Sequence, residues 1–231
     1  MSAGPKLNDF TIKIANVNGT GSASANALLM KTFFRMGIPV VGKNYFPSNI
    51  QGLPTWYEIR VNGDGDLARS GRVDLMVAMN AETYRKDLAE VEPGGYFLYD
   101  STWPRQQMLH RDDITVLGVP LARMCNEYFD TARSRVLMKN VAYVGAVAAL
   151  VDLDIEVIRE SLRKTFAAKA HLAEANQKAI ELGYNYVLDI YECPLPFKAE
   201  TSDKTSGHIM IDGNTATALG CLFAGPTLGA W

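Results

Sequence analysis

The chain has 231 residues, enough for one good-sized domain plus a tail or for two small domains, and enough to bury a core without staples. Hydrophobic residues make up 48% and charged residues 21%, an ordinary globular composition, and the net charge of −2 offers no broad basic field to nucleic acid or an anionic membrane. The three cysteines (Cys125, Cys193, Cys221) form no CxxC pair, which argues against a disulfide framework, a structural zinc or an iron–sulfur cluster held by this chain alone, and suits a reducing cytoplasm.

The opening MSAGPKLNDF lacks the apolar stretch of a secretory signal. Residues 10–17 (FTIKIANV) alternate and are rich in β-formers, so they predict a first strand. Asn18-Gly19-Thr20-Gly21-Ser22 breaks that strand, and 23–36 follows as a helix with Gly37 as its C-terminal stop. A short strand at 38–41, a polar loop at 43–54 and an alternating strand at 55–61 come next, then a glycine-rich turn at 62–72. Residues 74–80 predict a buried strand, 81–91 an exposed helix, and 96–100 and 114–119 two more strands. Short apolar strands alternating with helices imply βαβ units, hence a mostly parallel, Rossmann-like α/β sheet with helices on both faces.

Beyond Pro120 the pattern is helical: 121–131, 135–150, a helix capped by Asp154, and a further run at 167–182 ended by Gly183. The apolar run 141–151 is far short of the roughly 20 residues that span a bilayer and predicts a buried core helix. Residues 193–208 have the composition of an extended linker, and 209–231 resume an ordered pattern, with Asp212 or Asn214 capping a helix near Thr215.

The turn at 18–24 lies where a strand meets a helix N-terminus. Unsatisfied N–H groups and the helix dipole make such a place an anion site. Glycines allow close approach, and Thr20, Ser22 and Ser24 bring hydroxyls. It is not a full dinucleotide fingerprint: Ser24 stands where a third glycine belongs, and Lys43 stands near the place where NAD binding wants an acid. No Gly-Lys-Ser/Thr and no GxSxG follow, and His110, His171 and His208 are isolated. A phosphate-rich ligand, a purely structural turn and an NAD site all stay open, and no self-sufficient catalytic centre or metal site emerges.

Residues 10–41, then 42–61 (GKNYFPSNIQGLPTWYEIRV), then Ile211-Asp212-Gly213-Asn214-Thr215-Ala216 together resemble the alpha subunit of 2-oxoacid:ferredoxin oxidoreductases. In that subunit a gamma-type domain precedes the domain that helps hold thiamine diphosphate. The FPSNIQGLPTW variant resembles the 2-oxoglutarate-type branch. The resemblance implies oxidative decarboxylation of a 2-oxoacid to acyl-CoA with electrons passed to ferredoxin. It implies coenzyme A binding by the gamma-type domain, and thiamine diphosphate, Mg²⁺ and [4Fe-4S] clusters in the rest of a complex with a beta subunit. It divides the chain into a gamma-type domain at 1–192, a linker at 193–208 and the incomplete start of the thiamine-associated domain at 209–231. It suggests Gly19, Thr20, Gly21 and Ser22 as phosphate donors, Lys43 as a nearby positive charge, and Ser48, Asn49, Gln51 and Gly52 on a second loop facing the ligand or the catalytic subunit. Many gamma-type relatives carry further glycines where this chain has Ser22 and Ser24.

Overall fold

The computed structural model of the protein describes residues 5–48, 52–225 and 227–228. In chain order the elements are β1 (Lys6–Leu7), β2 (Asp9–Val17), α1 (Ser22–Arg35), β3 (Val40–Tyr45), β4 (Pro54–Asn62), β5 (Leu75–Ala78), α2 (Tyr84–Glu90), β6 (Tyr96–Asp100), β7 (Thr115–Val119), α3 (Leu121–Tyr128), α4 (Ala132–Leu150), α5 (Ile155–Thr165), α6 (Ala170–Ile190), β8 (Phe197–Lys198) and α7 (Gly213–Phe223). The main sheet runs β3-β4-β2-β5-β6-β7. Strands β2, β5, β6 and β7 are parallel, and β4 is antiparallel to both β2 and β3. The expected α/β class with a mostly parallel sheet is what forms.

Alternation in β2 explains the two cores. Phe10, Ile12 and Ile14 point to one face, where they meet Leu29 and Phe33 of α1 and Tyr143 of α4. Ala15 lies in the second cluster, with Met76, Phe97, Tyr84 and Leu88 on the other face. Each such large side chain, once buried, contributes about 1.5–3 kcal/mol. Helix α2 covers the second face, so residues 81–91 are not the exposed helix that composition suggested. Tyr84, Asp87 and Leu88 are buried, and the Asp87 carboxylate accepts from Trp56 Nε1 at 2.7 Å and from the Thr83 hydroxyl.

The run 141–151 is core helix, as predicted: every residue of α4 from Val141 to Leu150 is buried. Helix α6 crosses it closely. A Cβ on Gly145 would lie 2.0 Å from Ile180 O, and one on Gly183 would lie 1.9 Å from Ala142 O. Gly183 therefore does not end a helix. It is the point where two helix backbones touch, and α6 continues through it to Ile190.

Residues 193–208 lack helix, end in a turn at 204–207 and are tied along the domain. Strand β8 pairs in parallel with β1, while Leu195 N and Ala199 N donate to Leu150 O and Val151 O. Ser202 N donates to Met36 O, and the Thr205 hydroxyl donates to Phe34 O. Helix α7 starts at Gly213 under an Asp212 cap that accepts from Thr215 N at 2.8 Å, and none of its residues is buried. Among the described residues no helix is long and apolar enough to cross a membrane.

Candidate functional site

The chain leaves β2 toward α1, β3 and β4 on one side and later returns to β5 on the other. The carboxyl end of β2 is thus a switch point of the sheet, the place where open α/β sheets leave a crevice for ligands. Two glycines form the turn there with positive φ, Gly19 at 87° and Gly21 at 85°. Side chains disfavour that region, so glycine is required by the backbone path. Gly21 is also the N-cap of α1. Among the described residues no side chain caps the helix, and its first turn contains no acid. The positive end of a 14-residue helix is left to whatever approaches it.

Two buried asparagines hold this turn from below. Asn16 is 5% exposed and Asn140 is 1% exposed. Asn16 Nδ2 donates to Asn140 Oδ1 at 3.0 Å, Asn140 Nδ2 donates to Thr20 O at 2.8 Å, and Val17 N donates to Asn16 Oδ1 at 2.8 Å. Buried amides satisfied in this way fix a unique geometry, because leaving one unmade costs about 1–3 kcal/mol. Deeper in, the Tyr143 hydroxyl donates to Asn26 Oδ1 at 2.7 Å, and burial pushes the phenol's pKa well above its ordinary value. These residues were not singled out from the sequence. The signal was there: asparagines inside the apolar runs IANV and KNVAYV.

The sequence-selected residues divide. Gly19, Thr20, Gly21 and Ser22 form the turn itself. The single hydroxyl proton of Thr20 lies between Val17 O at 2.8 Å and Asn16 Oδ1 at 3.2 Å, so it serves the turn and is not aimed outward. A Cβ on Gly21 would fall 2.4 Å from Leu137 Cδ2, so this glycine also permits the contact with α4. Ser22 is buried and Ser24 is exposed. Gly52 is brought alongside: its N–H donates to Asn18 O at 3.2 Å, and Asn18 N donates to Leu53 O at 2.9 Å. Ser48 is exposed on the same connection, while Asn49 and Gln51 lie outside the described residues.

Lys43 is not brought to the turn. Period-two alternation along β3 sends Lys43 to the opposite face of the sheet from Asn44. Asn44 lines a small polar cavity of about 60 Å³ with Asn16, Asn18, Ser22 and Asn26. Lys43 instead stands over the Tyr45 ring, 5.8 Å from its centre, on the face where Arg69 pairs with Glu58 at 3.0 Å.

A larger cleft of about 470 Å³ opens on the other side of Gly21 and runs along α1 between α4, α5 and α6. Among the described residues no three His, Cys, Asp or Glu side chains are grouped so as to hold a metal ion. His110 lies 3.5 Å from Asp112, and both are open to solvent.

The sequence matches the family Pyruvate ferredoxin/flavodoxin oxidoreductase over residues 11–186. The chain belongs to this family. It is 26% identical over 72% of its length to the alpha subunit of 2-oxoacid:ferredoxin oxidoreductase 2 from Aeropyrum pernix, of which it spans 26%. It is 25% identical over 76% of its length to the 2-oxoglutarate synthase subunit KorC from Archaeoglobus fulgidus, of which the match covers 87%. In fold it resembles the 2-oxoglutarate:ferredoxin oxidoreductase from Magnetococcus marinus, solved with 2-oxoglutarate, coenzyme A and succinyl-CoA bound. The TM-score is 0.83 at 22% identity, over 94% of this chain and 37% of that one. The chain thus spans between a quarter and two fifths of the longer proteins it matches, and most of the short subunit.

Proposed function

We propose that this chain supplies the gamma-type domain of a 2-oxoacid:ferredoxin oxidoreductase of the 2-oxoglutarate branch, and that the domain binds coenzyme A. The observation that carries the reading is the uncapped, acid-free N-terminus of α1 at the sheet's switch point, steadied by Asn16 and Asn140. The residues present fit a phosphate chain: Gly19 and Gly21 let it approach, and the first-turn N–H groups of α1 face it. Ser22 and Gly52 flank the approach, Ser48 is exposed on the connection that leads to Gly52, and the family resemblance adds Asn49 and Gln51. Lys43 has no part in it, because its strand faces it away.

In this reading the whole enzyme decarboxylates a 2-oxoacid oxidatively, passes the electrons to ferredoxin and forms an acyl-CoA in the cytoplasm. Thiamine diphosphate, Mg²⁺ and the [4Fe-4S] clusters belong to the rest of the complex, including the beta subunit. Residues 1–192 are the coenzyme-A-binding unit, 193–208 the linker, and 209–231 enter the thiamine-associated domain. The Magnetococcus marinus enzyme, solved with coenzyme A, supports this reading by its fold.

A second reading rests on two observations of the turn. The Thr20 hydroxyl is turned inward, and Gly21 makes room for Leu137. A turn built only for packing, in a domain that docks subunits and binds no ligand, would need both. Calorimetric titration of the intact complex with coenzyme A and with NADH separates the two. Heat from coenzyme A and none from NADH supports the site. An intact complex that takes up neither leaves the docking role.

A further inference from the structure

We infer that the cleft along α1 receives the adenosine 3′-phosphate end of the nucleotide, with Lys31 as the residue that recognises the 3′-phosphate; this rests on the coenzyme A reading of the turn. The cleft begins at Gly21 and Ser24, where a diphosphate on the helix N-terminus would sit. From there it follows one face of α1 past Leu28 to Lys31 and Arg35, residues that recur at helical spacing. Its volume, about 470 Å³, is that of a small-ligand pocket.

The chemistry of the walls selects the occupant. Leu28, Leu137, Leu162, Phe166 and Leu172 give the apolar, partly aromatic surface that a flat base prefers. Among the described residues the charged side chains that line the cleft are Lys31 and Arg35, both cations, so an anion is matched there. Arg35 is fixed by a hydrogen bond from its guanidinium to the Ser161 hydroxyl. Lys31 is exposed at the rim. It lies ten residues from Gly21, about 15 Å along the axis, and a long helical side chain leans back toward the N-terminus, which shortens that span. A diphosphate at the turn places the ribose and its 3′-phosphate in this stretch and leaves the pantetheine arm free to leave over the sheet's carboxyl edge.

The test compares coenzyme A with 3′-dephospho-coenzyme A on the intact oxidoreductase complex by calorimetry, for wild type, Lys31→Gln, Lys31→Arg and Lys43→Gln. Wild type should favour coenzyme A by roughly tenfold, the weight of one charge-assisted contact. Lys31→Gln should bring that ratio close to one, whereas Lys31→Arg and Lys43→Gln should keep it. A preference that survives Lys31→Gln, that is missing from wild type, or that depends on Lys43 overturns the cleft assignment and leaves coenzyme A binding at the turn intact. No binding of either nucleotide overturns both.

Discussion

Ser24 offers a substitution whose two effects have opposite signs. It is the third residue of α1, exposed, in a first turn that contains no acid and no side-chain cap. Ser24→Asp adds a negative charge to the positive end of the helix, which should stabilise the fold by about 0.3–1 kcal/mol. The same charge opposes a phosphate seated on the first-turn N–H groups. At a separation of about 6 Å and an effective dielectric near 20, the repulsion is about 2–3 kcal/mol for each unit of phosphate charge. Affinity for coenzyme A should fall by roughly 30- to 100-fold, and by less at high salt. Ser24→Asn, which keeps the size and drops the charge, should bind coenzyme A nearly as wild type does. The assays are thermal or denaturant unfolding beside calorimetric titration of the complex. A Ser24→Asp protein that is more stable yet binds coenzyme A with unchanged affinity would refute a phosphate at this helix end. Gly21→Asp would be a poorer probe, because its side chain meets Leu137 and a φ of +85°.

Gly183→Ala should destabilise the fold by about 1–3 kcal/mol through the contact with Ala142 O, read as a lower denaturant midpoint. An ordinary helix interior would gain up to about 1 kcal/mol from the same change, so a raised midpoint would deny the close crossing. Burial, which outweighs the hydrogen bonds from Thr83 and Trp56, holds the Asp87 carboxyl above its ordinary pKa. The folded state therefore keeps this proton longer than the unfolded chain does, and stability is lost as pH rises from about 4 through the raised value. The stability of wild type relative to Asp87→Asn should decline over that rise, and a difference that stays flat or climbs would contradict it. Burial first, and then the Asp100 carboxylate, push the Cys125 thiol up to about 12, while Cys221 is exposed on α7. Ellman's reagent at pH 8 should label Cys221 on the folded chain and Cys125 only after unfolding, with mass spectrometry assigning the sites.

Much of the scaffold was legible because its signals are local. The alternation of FTIKIANV, the glycine break after it and the Asp154 cap each report on a few neighbouring residues, and strand β2, helix α1 and helix α5 lie where those signals place them. What escaped depends on partners distant in sequence. Strand β4 turns back to pair with β2, and nothing within 55–61 states that direction. Gly183 looked like a stop because a glycine late in a helical run usually is one, and only α4 shows what the missing side chain allows. Lys43 was expected beside the turn, and the period-two alternation of β3 sets it on the face opposite Asn44, a parity that no local signal in 38–45 reports. The glycine turn could be read as an anion site, but its support could not, since Asn16 and Asn140 stand 124 residues apart.

The pairing of Lys6–Leu7 with Phe197–Lys198 sets the two flanks of the α/β fold side by side. A unit with adjoining ends can be cut out, joined to a neighbour or left to stand alone without disturbing its interior. The relatives differ in just this respect: the match covers 87% of the short Archaeoglobus fulgidus subunit and 26% of the Aeropyrum pernix alpha subunit. One short parallel ladder thus suits this fold equally to a short chain and to a segment of a longer polypeptide.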